Sequence, residues 1–139
     1  MTPQALADLH ARCFTVPKPF SAVAFDAFLS SPLCFLCTLP HGFALGRAVA
    51  GEAELLTLSV DPDHRRHGTG RALLTAFEIQ AAERQADRAF LEVAAENHAA
   101  LALYSFHGYI ESGRRTAYYR HPDGTPEDAI LMERWLTRN

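Results

Sequence analysis

Cysteine is scarce, with three in 139 residues. Two of them, Cys34 and Cys37, stand as C-x-x-C within Leu33-Cys34-Phe35-Leu36-Cys37-Thr38. Residues three apart on a strand face opposite sides, and no second Cys/His pair follows at zinc spacing. The pair therefore reads as small core residues rather than a redox or metal site. The seven histidines include no H-x-x-x-H and no helical pair with a carboxylate, and His98 and His107 are too far apart to share an ion, so no metal is expected. No apolar stretch approaches the length that spans a bilayer. The start, Met1-Thr2-Pro3-Gln4-Ala5-Leu6-Ala7-Asp8, lacks the basic residues and apolar run of a secretory signal. These absences predict a cytoplasmic protein. A large charge of one sign is missing too. The formal charge of −3 and pI of about 6.1 argue against a surface built wholly for nucleic acid, and neither nucleic acid nor membrane is expected as a partner.

What is present is ordinary globular material, 48% hydrophobic and 21% charged, of a length that suits one domain over 1–139. Thr2 can cap, and Pro3 can start, a helix running to about Cys13 with Leu6, Leu9 and Cys13 at helical spacing; it ends before Val16-Pro17-Lys18-Pro19. Ser21 can cap a second helix to about Leu29. Strands are expected over Leu33–Leu39, Phe43–Ala50 and Glu52–Val60, separated by turn residues. A long helix from Thr69 to about Ala86 would bury Leu73, Ala76, Phe77 and Ala81. A strand over Phe90–Ala94, a helix over Asn97–His107, and strands over Tyr109–Tyr119 and Ala129–Trp135 complete the pattern. Hairpins followed by strand–helix alternation imply an α/β (α+β) architecture with a mixed sheet flanked by helices.

The junction Arg65-Arg66-His67-Gly68-Thr69-Gly70, between a strand end and a long helix, has the chemistry of an anion site. The helix start leaves N–H groups unpaired, its dipole is positive there, and the glycines let an anion approach the main chain. A P-loop needs Gly-Lys-Ser/Thr and a dinucleotide fold needs G-x-G-x-x-G; neither is here. From the loop alone, a solvated turn and a generic phosphate ligand remain open.

The order of elements narrows the choice. Arg65-x-x-Gly68-x-Gly70 after a strand ending Val60-x-Pro62, followed by Arg71-Ala72-Leu73-Leu74, resembles motif A of the GCN5-related N-acetyltransferase (GNAT) family. Downstream, Leu91-Glu92-Val93, Asn97, Ala100, Leu103-Tyr104, Gly108-Tyr109, Arg114-Arg115, Tyr118-Tyr119 and Glu127-Asp128-Ala129 resemble its ribosomal-protein-alanine N-acetyltransferase branch. The resemblance covers roughly residues 42 to 133 and is weak in the first forty. It implies the GNAT fold: about six strands in a mostly antiparallel twisted sheet, about four helices, and splayed central strands forming the cleft of the cosubstrate acetyl-CoA. It also implies that the loop N–H groups of residues 66 to 71 hold the pyrophosphate, and that Leu58, Ser59 and Val60 present backbone to the pantetheine arm. The candidate cofactor-binding residues are thus Leu58, Ser59, Val60, Arg65, Arg66, His67, Gly68, Thr69, Gly70, Arg71 and Asn97; for Asn97 physics alone favours capping its helix, a role compatible with touching the pantetheine arm. The implied acceptor is a peptide or protein N-terminus such as that of a ribosomal protein.

Glu92 is the odd residue of an otherwise apolar strand. A carboxylate kept partly from water holds its proton to higher pH and can take one near neutrality, as an attacking amine requires. The alternatives are a rim carboxylate and an ion pair with an arginine. Tyr104 can protonate a departing thiolate, or simply pack on the sheet. The family pattern places its general base and general acid at Glu92 and Tyr104. Glu52, Glu54, Tyr118 and Tyr119 are weaker candidates for an acceptor groove. The chain departs from the pattern in starting with a helix where the family has a strand, and in having Tyr109 where phenylalanine is common. A small-molecule amine acceptor and a non-catalytic acyl-CoA-binding module are the competing functions.

Overall fold

Thr2 Oγ1 accepts the Ala5 N–H at 3.1 Å and Pro3 fills the first turn, where its missing N–H leaves no gap; together they start α1 (Pro3–Cys13). Ser21 Oγ caps α2 (Ala22–Ser30) in the same way, on Ala24 N–H at 3.1 Å. This computed structural model describes residues 1–136, so the last three residues of the 1–139 span lie outside the described residues. Six strands follow in one sheet: β1 (Cys34–Leu39), β2 (Gly42–Val49), β3 (Glu52–Val60), β4 (Arg88–Ala94), β5 (Ile110–Arg120) and β6 (Pro126–Trp135), in spatial order β1-β2-β3-β4-β6-β5. Among the described residues only β3 and β4 pair in parallel. The connection between them carries a 3₁₀ turn (Pro62–His64) and α3 (Thr69–Glu83); α4 (His98–Phe106) joins β4 to β5. The expected mixed, mostly antiparallel α/β fold is present, and among the described residues the first element is α1, so the sheet begins at β1.

Alternation along the strands separates two cores. Phe35, Cys37, Ala44 and Leu55 pack with Leu73, Leu74, Phe77 and Ala81 of α3 and Tyr104 of α4. Leu36, Phe43, Leu45 and Leu56 pack with Leu6, Leu9 and Phe25 of α1 and α2 on the other face. Cys37 is buried while Cys34 is half-buried, and both are free thiols. Two details of α3 differ from the sequence reading. Leu74 is buried with Leu73 while Ala76 is only half-buried, because the helix is covered by both the sheet and α4. The helix also stops at Glu83 rather than about Ala86. Gln85 takes the left-handed conformation (φ 70°), and Ala86 N–H bonds back to the Ala81 carbonyl at 3.0 Å. That terminator usually carries glycine, so a glutamine there gives no signal.

The feature that positions the site is the limited pairing of β3 with β4. Parallel pairing runs from Glu52↔Arg88 to Leu55↔Leu91 and then ends. On the other side of β3, the register steps from Leu45↔Thr57 to Gly46↔Leu55, leaving Leu56 as an extra residue. Such a bulge bends its strand and increases local twist. Beyond it, residues 56–60 and 92–94 diverge and a cleft opens between them.

α1 buries a histidine that its apolar pattern did not single out. His10 is 2% exposed, and its Nδ1 accepts the Phe20 N–H at 2.8 Å. Nε2 must then carry the proton and donate to Thr57 Oγ1, at 2.9 Å. Phe14, Phe20, Phe25 and Phe43 surround the ring. Burial lowers its pKa from 6.5 to about 4. The folded state thus favours the neutral ring, and the associated stability is whole above pH 6.5 and lost as pH falls toward 4. It amounts to at most about 3 kcal/mol. Thermal melts of the wild type and His10→Gln at pH 7 and pH 4.5 should show the wild type losing more stability between the two; parallel losses would exclude His10 as the cause.

Candidate active site

The β3–α3 connection is built to leave donors free. Arg66 (φ 68°) and Gly68 (φ 78°) both take left-handed backbone, which turns successive N–H groups toward the helix start. Gly68 is the N-cap of α3 and offers no capping side chain, and the first turn holds no acidic residue. The first bond into the helix runs from Ala72 N–H to the Gly68 carbonyl at 3.0 Å. The N–H groups of Thr69, Gly70 and Arg71 therefore have no acceptor within the helix, and the dipole adds positive potential at the same place. Gly70 lies against α4, where an added Cβ would stand 3.3 Å from Leu103 Cδ2. Arg71 is steered by Phe106, its guanidinium 4.7 Å from the ring centre. Arg65 Nε bonds the Val60 carbonyl at 3.4 Å.

This loop forms one rim of a cleft of about 620 Å³ that runs between β3 and β4. Leu58, Ser59, Val60, Arg65, Arg66, Gly68, Thr69, Gly70, Arg71 and Asn97 all line it, as do Glu92 and Tyr104. His67 is exposed and is not among the lining residues. It follows a left-handed residue, so its position in the motif does not carry its side chain into the cleft. Asn97 caps α4, with Oδ1 accepting the Ala100 N–H at 3.2 Å, while also lining the cleft. Ser59 Oγ is buried without a hydrogen-bond partner among the described residues, a hydroxyl on the segment of β3 that pairs with β2 but not with β4.

Glu92 is not isolated as its apolar strand suggested. Arg115 Nε donates to Oε1 at 2.9 Å and the Tyr119 hydroxyl donates to Oε2 at 3.2 Å, leaving the side chain 24% exposed. The ion pair that the sequence left open is the arrangement present. Both donors come from β5, which is two strands away with β6 between, so strand spacing gave no hint of the pairing. Tyr119 joins the site; Glu52 and Glu54 do not, being paired with Arg88 and Arg47 at the far end of β3. Tyr104 is buried, and desolvation holds its phenol well above the ordinary value, so it stays protonated at neutral pH. Burial, followed by the Glu92 charge, does the same for Tyr119.

The loop residues Phe14, Thr15, Val16 and Pro17 and the turn residue His121 also line the cleft, and sequence reasoning had assigned them no such place. Tyr109 finds a partner outside it: its hydroxyl donates to Glu78 Oε2 at 2.9 Å, which explains how a tyrosine is accommodated there. Three potential ligand atoms of His41, Asp61 and His64 lie within 4.8 Å of one another. The imidazoles stack at 3.5 Å and 5°, so their in-plane lone pairs do not converge, and Asp61 is engaged by Arg12 at 3.1 Å. His41 comes from the β1–β2 turn and Asp61 and His64 from the turn after β3.

A parallel strand pair opens onto a helix start within an otherwise antiparallel sheet, a cleft whose rim carries unpaired backbone donors. The chain belongs to the acetyltransferase (GNAT) family, whose model matches residues 4–109. It is 44% identical over 90 residues to the ribosomal protein bS18-alanine N-acetyltransferase of Escherichia coli, a match covering 65% of this chain and 60% of that protein. The crystal structure of the E. coli ribosomal-protein-S18-alanine N-acetyltransferase superposes with a TM-score of 0.83 at 32% identity, over 99% of this chain and 88% of the other. The N-alpha-acetyltransferase RimI of Mycobacterium tuberculosis is 34% identical over 140 residues, covering 94% of this chain and 85% of its own. Nourseothricin acetyltransferase is also similar, with a TM-score of 0.63 and 32% identity over 70% of this chain and 58% of its own.

Gly70→Val would push a branched side chain between the helix start and Leu103. Coenzyme A affinity, measured by calorimetric titration, should fall at least about tenfold, equivalent to about 1.4 kcal/mol. Unchanged affinity would remove this helix start from the binding site.

Proposed function

We propose that the chain, folded as one acetyltransferase domain, transfers the acetyl group of acetyl-CoA to a primary amine, and that this amine is the N-terminal α-amino group of a protein such as a ribosomal protein. One observation carries the reading: Glu92 and Tyr104 line the same cleft as the anion-binding start of α3. The similarity to the E. coli and M. tuberculosis N-terminal acetyltransferases supports the acceptor class.

Acetyl-CoA supplies an activated acyl carbon and a thiolate leaving group. The chain supplies the remaining parts. The N–H groups of Thr69, Gly70 and Arg71 receive the pyrophosphate, assisted by Arg65 and Arg66. The β3 edge at Leu58, Ser59 and Val60, which has no β4 partner there, aligns the pantetheine arm as an added half-strand. An α-amino group with a pKa of about 8 is largely protonated at neutral pH and has to lose a proton before it attacks. Glu92 takes that proton, directly or through a water, while Arg115 and Tyr119 hold the carboxylate in place. The Tyr104 hydroxyl, kept protonated by burial, gives its proton to the departing sulfur.

A small-molecule amine is the second reading, supported by the similarity to nourseothricin acetyltransferase. Incubation with acetyl-CoA and a panel of peptides, polyamines and aminoglycosides separates the two. N-terminal acetylation of peptides, seen by mass spectrometry, is expected; activity confined to the small amines would overturn the protein-acceptor reading. Glu92→Gln and Tyr104→Phe should each lower turnover by about 10²-fold or more with coenzyme A binding retained. Full activity in either variant would remove that residue from its role.

A further inference from the structure

His121 stands in the turn between β5 and β6, held by its own N–H to the Thr125 carbonyl at 2.9 Å and by Gly124 N–H to its carbonyl at 2.8 Å. His121 is among the residues that line the cleft holding Glu92 and Tyr104. Nε2 lies 2.5 Å from Oε1 of Glu127, a residue only 7% exposed near the start of β6. The other oxygen of Glu127 accepts the Glu96 N–H at 3.0 Å. An ionised carboxylate only accepts, so the ring proton sits on Nε2 and the lone pair on Nδ1. A buried carboxylate that fixes the ring and tautomer of a histidine lining a cleft is the arrangement from which histidine acts as a base. Glu127 is anchored by a backbone donor on the β4–α4 turn, which ties the dyad to the β4 side of the opening.

The proton balance of acetyl transfer calls for a second acceptor. As the N–C bond forms and the C–S bond breaks, the C–S electron pair leaves with sulfur, and the acceptor, an ammonium in solution that attacks as the neutral amine, loses two protons in all on becoming an amide. Sulfur gains one, from Tyr104. One proton from nitrogen, received by Glu92, returns through water to Tyr104. The other leaves the protein. Both oxygens of Glu92 already accept from Arg115 and Tyr119. The His121 side chain is 37% exposed, reaching from the cleft to solvent.

We propose that His121 is a second catalytic proton acceptor, taking the remaining proton from the acceptor nitrogen at Nδ1, directly or through one water, and releasing it to solvent. Glu127 is the positioning residue that holds its tautomer. The proposal rests on acetyl transfer to a primary amine, as put forward above, but not on the identity of that amine.

The test uses whichever amine the wild type acetylates. His121→Gln retains an amide donor for Glu127 but cannot take a proton, so kcat should fall about tenfold or more with the acetyl-CoA KM unchanged. His121→Ala should lose activity similarly, and added imidazole should restore part of it. Wild-type kcat in the glutamine variant, or an alanine loss that imidazole leaves untouched, overturns the proposal. Thermal melts report whether each variant is folded, and the glutamine variant decides if the alanine variant is not. Failure of the protein-acceptor reading appears in the wild type, as activity on small amines only; failure of the His121 role appears only in the variants.

Discussion

The structure depends on a pairing that stops early. β3 and β4 run parallel for four residue pairs and part after Leu55↔Leu91, which leaves the β4-facing main chain of residues 56–60 without a strand neighbour inside the molecule. Backbone donors and acceptors in such a place require partners. An extended ligand arm with amide groups can provide them, and the same divergence brings the start of α3 to the rim. The opening, the strand edge and the uncapped helix start are therefore one feature. The Leu56 bulge bends β3 just where pairing ends.

Around this opening, charged groups are organised by long side chains that cross strands. Arg115 and Tyr119 reach over β6 to hold Glu92. Behind the cleft, Glu78 of α3 accepts from Tyr109 at 2.9 Å and Arg134 at 2.8 Å, with His107 3.2 Å away. Those contacts tie the helix that presents the anion site to the end of α4 and to β6. On the opposite face, neutral His10 links α1 to Thr57 just past the bulge. Exposed ion pairs contribute little to stability, whereas a carboxylate with two or three donors in a half-buried setting gains mainly in defined geometry.

What was legible in the chain was local. Thr2, Ser21 and Asn97 cap their helices because a short polar side chain can meet an N–H two or three residues on. β3 could be bounded at Glu52 and Val60 because alternation and Pro62 mark its ends. The end of α3 was missed because Gln85 does a glycine's work.

The sequence by itself determined the elements, their order and the unpaired N–H groups at the start of α3, since each rests on dihedral preferences and hydrogen bonds within a few residues. Only the tertiary structure decided that Glu92 sits in an ion pair, that His67 stands outside the cleft, that His10 is a buried neutral ring, and that His121 meets Glu127 there. Glu92 meets partners 23 and 27 residues away, and His10 one 47 residues away. Such meetings follow from strand order and helix packing, which no local pattern encodes.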